Sequence, residues 1–315
     1  MIAPCTRWLA FLALVVFLTP AAFAEEDWYP SKYGAEDTLG AVNVLKPAHV
    51  IAAMKLVKEG KTYALGVPTG PRTPAYGTRK YQIMTTGGDP SGGTLGENQA
   101  TFNDDLLMTW VGIGSQLDGL GHLGINHRYY NGVHASEFVR LDGLTRFSTH
   151  EVPPIVTRGI LVDLAGWKDV PYLPAGTAIN EAEIVAALAA QGDTKISEGD
   201  VVLLHTGWQA LAESDPDTFL QGEPGLGVGG AEYLAKLGVV AVGADTWGVE
   251  VVPGESDTII FPVHQDLLAK HGVYLLENMN TAELAKDQAT EFLFVLGQPR
   301  FVGSVQAVIN PVAIR

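Results

Sequence analysis

The chain has 315 residues, a formal charge of −15 from 20 Lys+Arg against 35 Asp+Glu, and one cysteine. Such an acidic balance argues against nucleic acid as a partner, since phosphate contacts need a basic face, and a lone cysteine excludes an internal disulfide framework. Arg7, the apolar run Trp8 to Leu18, Pro20 and the small-residue pattern Ala22-Phe23-Ala24 read as a secretory leader cut after Ala24. The run is too short, with Thr19 and Pro20 at its end, for a spanning helix of roughly 20 apolar residues. Cleavage removes Cys5 and Arg7, leaving a single domain over residues 25–315 with 19 Lys+Arg against 35 Asp+Glu, a charge of −16. The expected setting is periplasmic or secreted, with no membrane contact in the mature form and a small molecule as the partner.

The first predicted helix runs from Pro47 to Glu59, with Val50, Ile51, Met54 and Val57 on one face and Gly60 as its stop. Residues 66–96, rich in Gly, Pro and Thr, read as loops and short strands that include a flap or rim. A second helix starts at Asn180 with Glu183 three residues on, the pattern of a capping box, and Ile184, Val185 and Leu188 form its apolar face. Short β-rich runs surround it: Ile160–Val162, Val201–Leu204, Val239–Val242, Val273–Leu276, Phe292–Val295 and Val305–Ile309. The alternation predicts a mixed α/β layer arrangement.

Two segments carry the chemistry. In Gly114-Ser115-Gln116-Leu117-Asp118-Gly119-Leu120-Gly121-His122, Gln116 and Asp118 are two apart, so an extended strand points both to one side. Gly119 and Gly121 permit a tight turn that would return His122 beside them. Far downstream, His264 opens a helix after Phe261-Pro262-Val263, and Glu277 closes a strand after four apolar residues. A carboxylate there is costly unless a partner or a cation holds it; capping or pairing with a neighbouring loop is the alternative.

These residues carry a resemblance to the cyclase and kynurenine-formamidase type of metal-dependent hydrolase, a family that also includes isatin hydrolase. Its segment His-x-Gly-Thr-His-x-Asp-x-Pro-x-His looks like residues 112–122, and its downstream His followed by a strand-ending Glu or Gln looks like His264 and Glu277. The likeness extends from Trp28 to Asn310, through Leu39-Gly40-Ala41-Val42-Asn43, Arg158–Asp163, Thr206-Gly207-Trp208, Pro224–Gly227 and Gly243–Glu250. It implies a swivelling β/β/α fold with a mixed β core and flanking helices, assembled as a homodimer or larger. It also implies Asp118 and Glu277 as metal ligands, with His122 and His264 as further ligands or as the catalytic acid/base pair. Gln116 stands where the family has a ligand histidine and completes the donor set, whereas Gly112, in place of the leading histidine, binds nothing through a side chain. A single metal, or one tight and one weak site, is therefore expected. Oxygen donors favour Mn²⁺, with Zn²⁺ the other candidate.

The implied reaction is attack of metal-bound hydroxide on a carbonyl, cleaving a C–N bond in a small cyclic amide or formamide of the isatin or N-formylkynurenine type. Hydrolysis of a lactone or ester, or ring closure, would use the same centre. A rival of another class is a periplasmic binding protein with a degenerate metal site, motivated by Gly112 and Gln116. Candidate pocket residues are His205 at a strand end, Asp245 and Trp247 on the loop after Val239–Val242, and Tyr129. His127 and His134 read as a surface turn, and Asp104 and Asp105 as solvated carboxylates.

Overall fold

The computed structural model describes residues 28–87 and 92–315; the expected leader lies outside the described residues. All six apolar runs become strands of one nine-stranded mixed sheet. In chain order its strands are β1 (Thr62–Ala64), β4 (Gln116–Asp118), β5 (Ile155–Asp163), β6 (Val201–His205), β7 (Ala241–Ala244), β8 (Tyr274–Glu277), β9 (Glu291–Leu296), β10 (Gln306–Val308) and β11 (Val312–Ile314), while β2 (Tyr81–Gly87) and β3 (Asn103–Thr109) form a separate hairpin. The spatial order is β1-β11-β9-β5-β6-β7-β8-β4-β10. β5, β6, β7 and β8 are mutually parallel, and the pairings on either side of them are antiparallel.

The parallel centre explains the unbroken apolar runs. Val201–Leu204, Ala241–Ala244 and Tyr274–Leu276 are buried along their whole length, as strands covered on both faces must be. Helices cover the sheet: α1 (Pro47–Met54) lies on β5 and β9, and α2 (Glu181–Ala190) packs on β5 and on α3 (Val228–Leu237).

The structure revises three expectations. α1 ends at Met54 rather than Glu59, and Ile51 and Met54 are 59% and 57% exposed, so they do not face the core; Ala53 does. In α2 the expected capping box is present, with Glu183 accepting the amide hydrogen of Asn180 at 3.0 Å, and the Asn180 Oδ1 also accepts from the Gly230 amide, tying α2 to α3. Val185 is exposed, and Ala187 joins Ile184 and Leu188 on the buried face. The described residues of the loop-rich region contain one strand, β2, which pairs with β3 over seven residues. Among the described residues no helix is long and apolar enough to cross a membrane.

Candidate active site

The carboxyl ends of the parallel strands lie along one sheet edge and deliver His205 from β6, Asp245 just after β7 and Glu277 from β8. β4 runs antiparallel to β8 with Gln116 opposite Glu277, which brings Gln116 to the same edge. Leu117 points the other way into the core, so Gln116 and Asp118 share a side as the two-residue period requires. The His122 amide then donates to the Gly119 carbonyl at 2.9 Å and closes the turn. Gly119 is needed there, since a Cβ would stand 2.7 Å from the Val305 carbonyl oxygen. His264 arrives from the opposite direction, on a one-turn helix (Pro262–His264) that continues as a π-helical turn (Gln265–His271).

These elements converge on Asp118, which has no solvent exposure. Its Oδ1 accepts from Gln306 Nε2 at 2.7 Å. Its Oδ2 is buried and has no hydrogen-bond partner among the described residues. Two imidazoles face that orphaned oxygen: His122 Nε2 at 3.6 Å and His264 Nε2 at 3.7 Å. Those separations are too long for hydrogen bonds. They match a shared cation, because ligand atoms about 2.1 Å from a tetrahedral ion stand about 3.4 Å from one another. The three donor atoms lie within 4.8 Å of one another, and Glu277 Oε1 lies 3.4 Å from His264 Nε2, in reach as a fourth ligand. Gln116 Nε2 donates to Glu277 Oε2 at 2.6 Å and reaches Asp118 Oδ1 at 3.4 Å, spanning the two carboxylates, while its own Oε1 is buried without a partner among the described residues.

The electrostatics also call for a cation. Burial and the charge of Asp118 push the Glu277 carboxyl up to about 8. Burial would raise Asp118 too, but the neighbouring imidazoles and the Gln306 hydrogen bond hold it below the usual carboxylate range. His264, which burial alone would leave neutral, is raised well above the ordinary histidine value by Asp118, Glu250 and Glu277. His122 is lowered by burial, with His264 and Arg79 acting against the pull of Asp118. A divalent ion satisfies the orphaned oxygen and neutralises this cluster at once, so the residues present fit such a group.

Three contributors were not singled out by sequence reading. Glu250 hydrogen-bonds His264 Nδ1 and accepts the Val263 amide hydrogen at 3.1 Å. Glu223 is fully buried, accepts from the Trp247 amide at 2.6 Å, and is raised well above the carboxylate range by burial and by Glu277. Gln306 steadies Asp118 from the neighbouring strand β10. The only signal for the two glutamates was a charged residue set in an apolar context, Gly248-Val249-Glu250-Val251 and Leu220-Gln221-Gly222-Glu223-Pro224.

The other sequence candidates divide. His205 and Asp245 lie together, with Asp245 Oδ2 3.2 Å from His205 Nδ1 and Thr281 Oγ1 2.7 Å from the same nitrogen. Asp245 also accepts from the Thr206 amide, the Thr206 hydroxyl and the Gly207 amide, so it clamps the loop after β6. The Trp247 ring stacks on Tyr76 with centroids 5.2 Å apart and sits over Trp208 and Phe219. Tyr129 packs edge-on against Phe138 at the core. His127 and His134 pair on the surface, as expected. A cleft of about 370 Å³ between Trp28–Tyr33 and Lys270–Val273 contains none of the candidate ligands.

The sequence profile of the family described as "Putative cyclase" matches residues 63–251. The chain belongs to this Cyclase family. The match includes Gln116, Asp118 and His122, while His264 and Glu277 lie beyond it. A crystal structure described as a novel cyclase superposes with a TM-score of 0.81 at 29% identity, covering 90% of this chain and 98% of that one. Isatin hydrolase A from Ralstonia solanacearum shares the cyclase fold at a TM-score of 0.60 and 16% identity, over 81% of this chain and 92% of its own. A structure described as a potential metal-dependent hydrolase with cyclase activity has a TM-score of 0.51 and 19% identity, over 80% and 98%. No curated protein matches the sequence.

Proposed function

We propose that this protein is a metal-dependent hydrolase that cleaves a C–N bond in a small cyclic amide or formamide. The observation that carries the reading is the buried Asp118 Oδ2, unpartnered among the described residues and faced by two imidazole nitrogens. A divalent ion held by Asp118, His122, His264 and Glu277 would polarise a carbonyl and make water nucleophilic at neutral pH. We take Mn²⁺ ahead of Zn²⁺ because two of the four donors are carboxylates.

The two histidines differ in what they can do. His264 is fully buried and fixed from behind by Glu250, which suits a ligand that does not move. His122 is partly exposed, so it is the ligand at the open side of the centre, where substrate and solvent arrive. Trp247, stacked on Tyr76, and His205 at the carboxyl end of β6 are the groups we take to meet a small ring. A lactone or ester carbonyl would meet the same groups. The leader-like N-terminus supports export, and the exposed apolar hairpin β2–β3 supports a homo-oligomer.

The test is metal content of the purified protein followed by a panel of isatin, N-formylkynurenine and simple lactones, with chelator and with added Mn²⁺. Chelator-sensitive turnover, restored by Mn²⁺ and lost in His264→Ala, is expected. A folded, metal-free protein that binds one of these compounds without turnover would replace the hydrolase with a binding protein.

A further inference from the structure

The position that lacks a family histidine is not empty space. A Cβ on Gly112 would stand 2.7 Å from Arg79 Nη1, 3.0 Å from Arg79 Cζ and 2.9 Å from Gln306 Oε1. Glycine at 112 therefore makes room for a guanidinium. Arg79 lies on the loop just before β2 and donates from Nη1 to the Gly112 carbonyl at 2.5 Å, which pins the head group. Gln306, converging on the same Cα, donates to Asp118 Oδ1 at 2.7 Å. The guanidinium thus sits one side chain away from Asp118, close enough that its charge acts on both His122 and Glu277.

Arg79 is only partly buried and has no carboxylate within 4.0 Å among the described residues, although the chain carries 35 Asp and Glu. One of its nitrogens holds a backbone carbonyl, and a guanidinium presents five donors in a fork shaped for a carboxylate. We infer that Arg79 is a substrate-binding residue that holds a carboxylate beside the Asp118 centre, the group that hydrolysis of an amide, lactam or ester carbonyl creates. Addition of water to such a carbonyl breaks the C–N or C–O bond, places a proton on the leaving nitrogen or oxygen, and leaves a carboxylate on the acyl fragment. Arg79 faces that product group and the oxyanion that precedes it. The inference rests on the hydrolase reading for the identity of the ligand, but its test does not need turnover.

Calorimetric titration of the metal-loaded protein with benzoate, and with benzamide as an uncharged counterpart, reads the site directly. Benzoate should bind in preference to benzamide, more weakly at high salt. Arg79→Gln should weaken benzoate about 10- to 100-fold and remove the preference, while Arg79→Lys should keep part of it. Gly112→Ala provides a second variant that leaves every charge in place but drives a methyl into the guanidinium; with its melting temperature checked, it should weaken benzoate as well. Unchanged benzoate affinity in Arg79→Gln, or no preference over benzamide in the wild type, overturns the inference. If the substrate panel is inert while benzoate binding still depends on Arg79, the hydrolase reading fails and the anion site stands.

Discussion

Glu250 hydrogen-bonds Nδ1 of His264 and, through its second oxygen, accepts the amide hydrogen of Val263. The carboxylate therefore fixes both the ring and the start of the turn that carries it, and leaves Nε2 aimed at Asp118 and Glu277. A carboxylate behind a metal-binding histidine sets its tautomer and raises its basicity, and losing such a partner typically costs about 10- to 100-fold in metal affinity. Glu250→Ala should show a loss of that size in a competitive chelator titration, and Glu250→Gln a smaller one, because an amide oxygen can still accept from Nδ1. Equal affinity in wild type and Glu250→Ala would remove Glu250 from the site.

Metal removal should destabilise the fold as well as stop turnover. Asp118, Glu223, Glu250 and Glu277 are all buried around His264, and without an ion the cluster has to hold extra protons, on Glu277, Glu223 and His264, that a bound cation replaces. An ion present at about a thousand times its dissociation constant adds about 4 kcal/mol to unfolding. Differential scanning calorimetry should show a higher melting temperature with Mn²⁺ than with chelator. In Asp118→Asn that difference should vanish, since the orphaned oxygen no longer carries charge.

The pH dependence follows from the same groups. Glu277, raised to about 8, is neutral in the metal-free fold over a range where the unfolded chain, near 4.5, is ionised. The native state then binds more protons than the unfolded one, so metal-free stability falls as pH rises from about 4.5 to 8. Raised His264 acts with the same sign: its contribution is full below 6.5 and is lost as pH rises through its folded value. Ligation requires both protons to leave, so metal affinity should climb between about pH 6 and 8. Urea melts of the apo protein, paired with chelator titrations at the same pH values, should move in opposite directions.

Strands were legible because their burial is written as continuous apolar runs; Val201–Leu204 and Tyr274–Leu276 could hardly serve elsewhere. The turn returning His122 to Asp118 was legible for the same local reason, two glycines within four residues. The convergence of Asp118 with His264, 146 positions apart, was visible only through resemblance, because nothing local encodes a contact between β4 and the one-turn helix Pro262–His264. Glu250, Glu223, Gln306 and Arg79 act through partners that come from other elements, so their residue types alone carried no role. Ile51 and Met54 show the converse: a helical spacing identifies a face, but α1 turns Ala53 toward the sheet.

The hairpin β2–β3 supports the last prediction. Two strands alone are marginal in water, and this pair bears apolar side chains on both faces. Ile83 stands opposite Leu107 on one face, while Met84 stands opposite Leu106 and Gln82 opposite Met108 on the other; all five apolar residues, and Trp110 beyond them, are exposed. A ribbon of this kind is expected to be covered by a second copy of the chain, giving a dimer in sedimentation velocity. Ile83→Lys and Met84→Lys probe the two faces separately, and the variant that yields monomer identifies the buried one; a wild-type monomer would discard the assembly. Because Arg79 lies two residues before Tyr81 at the base of the hairpin, the dissociating variant should also weaken benzoate binding, although neither lysine touches the Gly112 carbonyl that anchors the guanidinium.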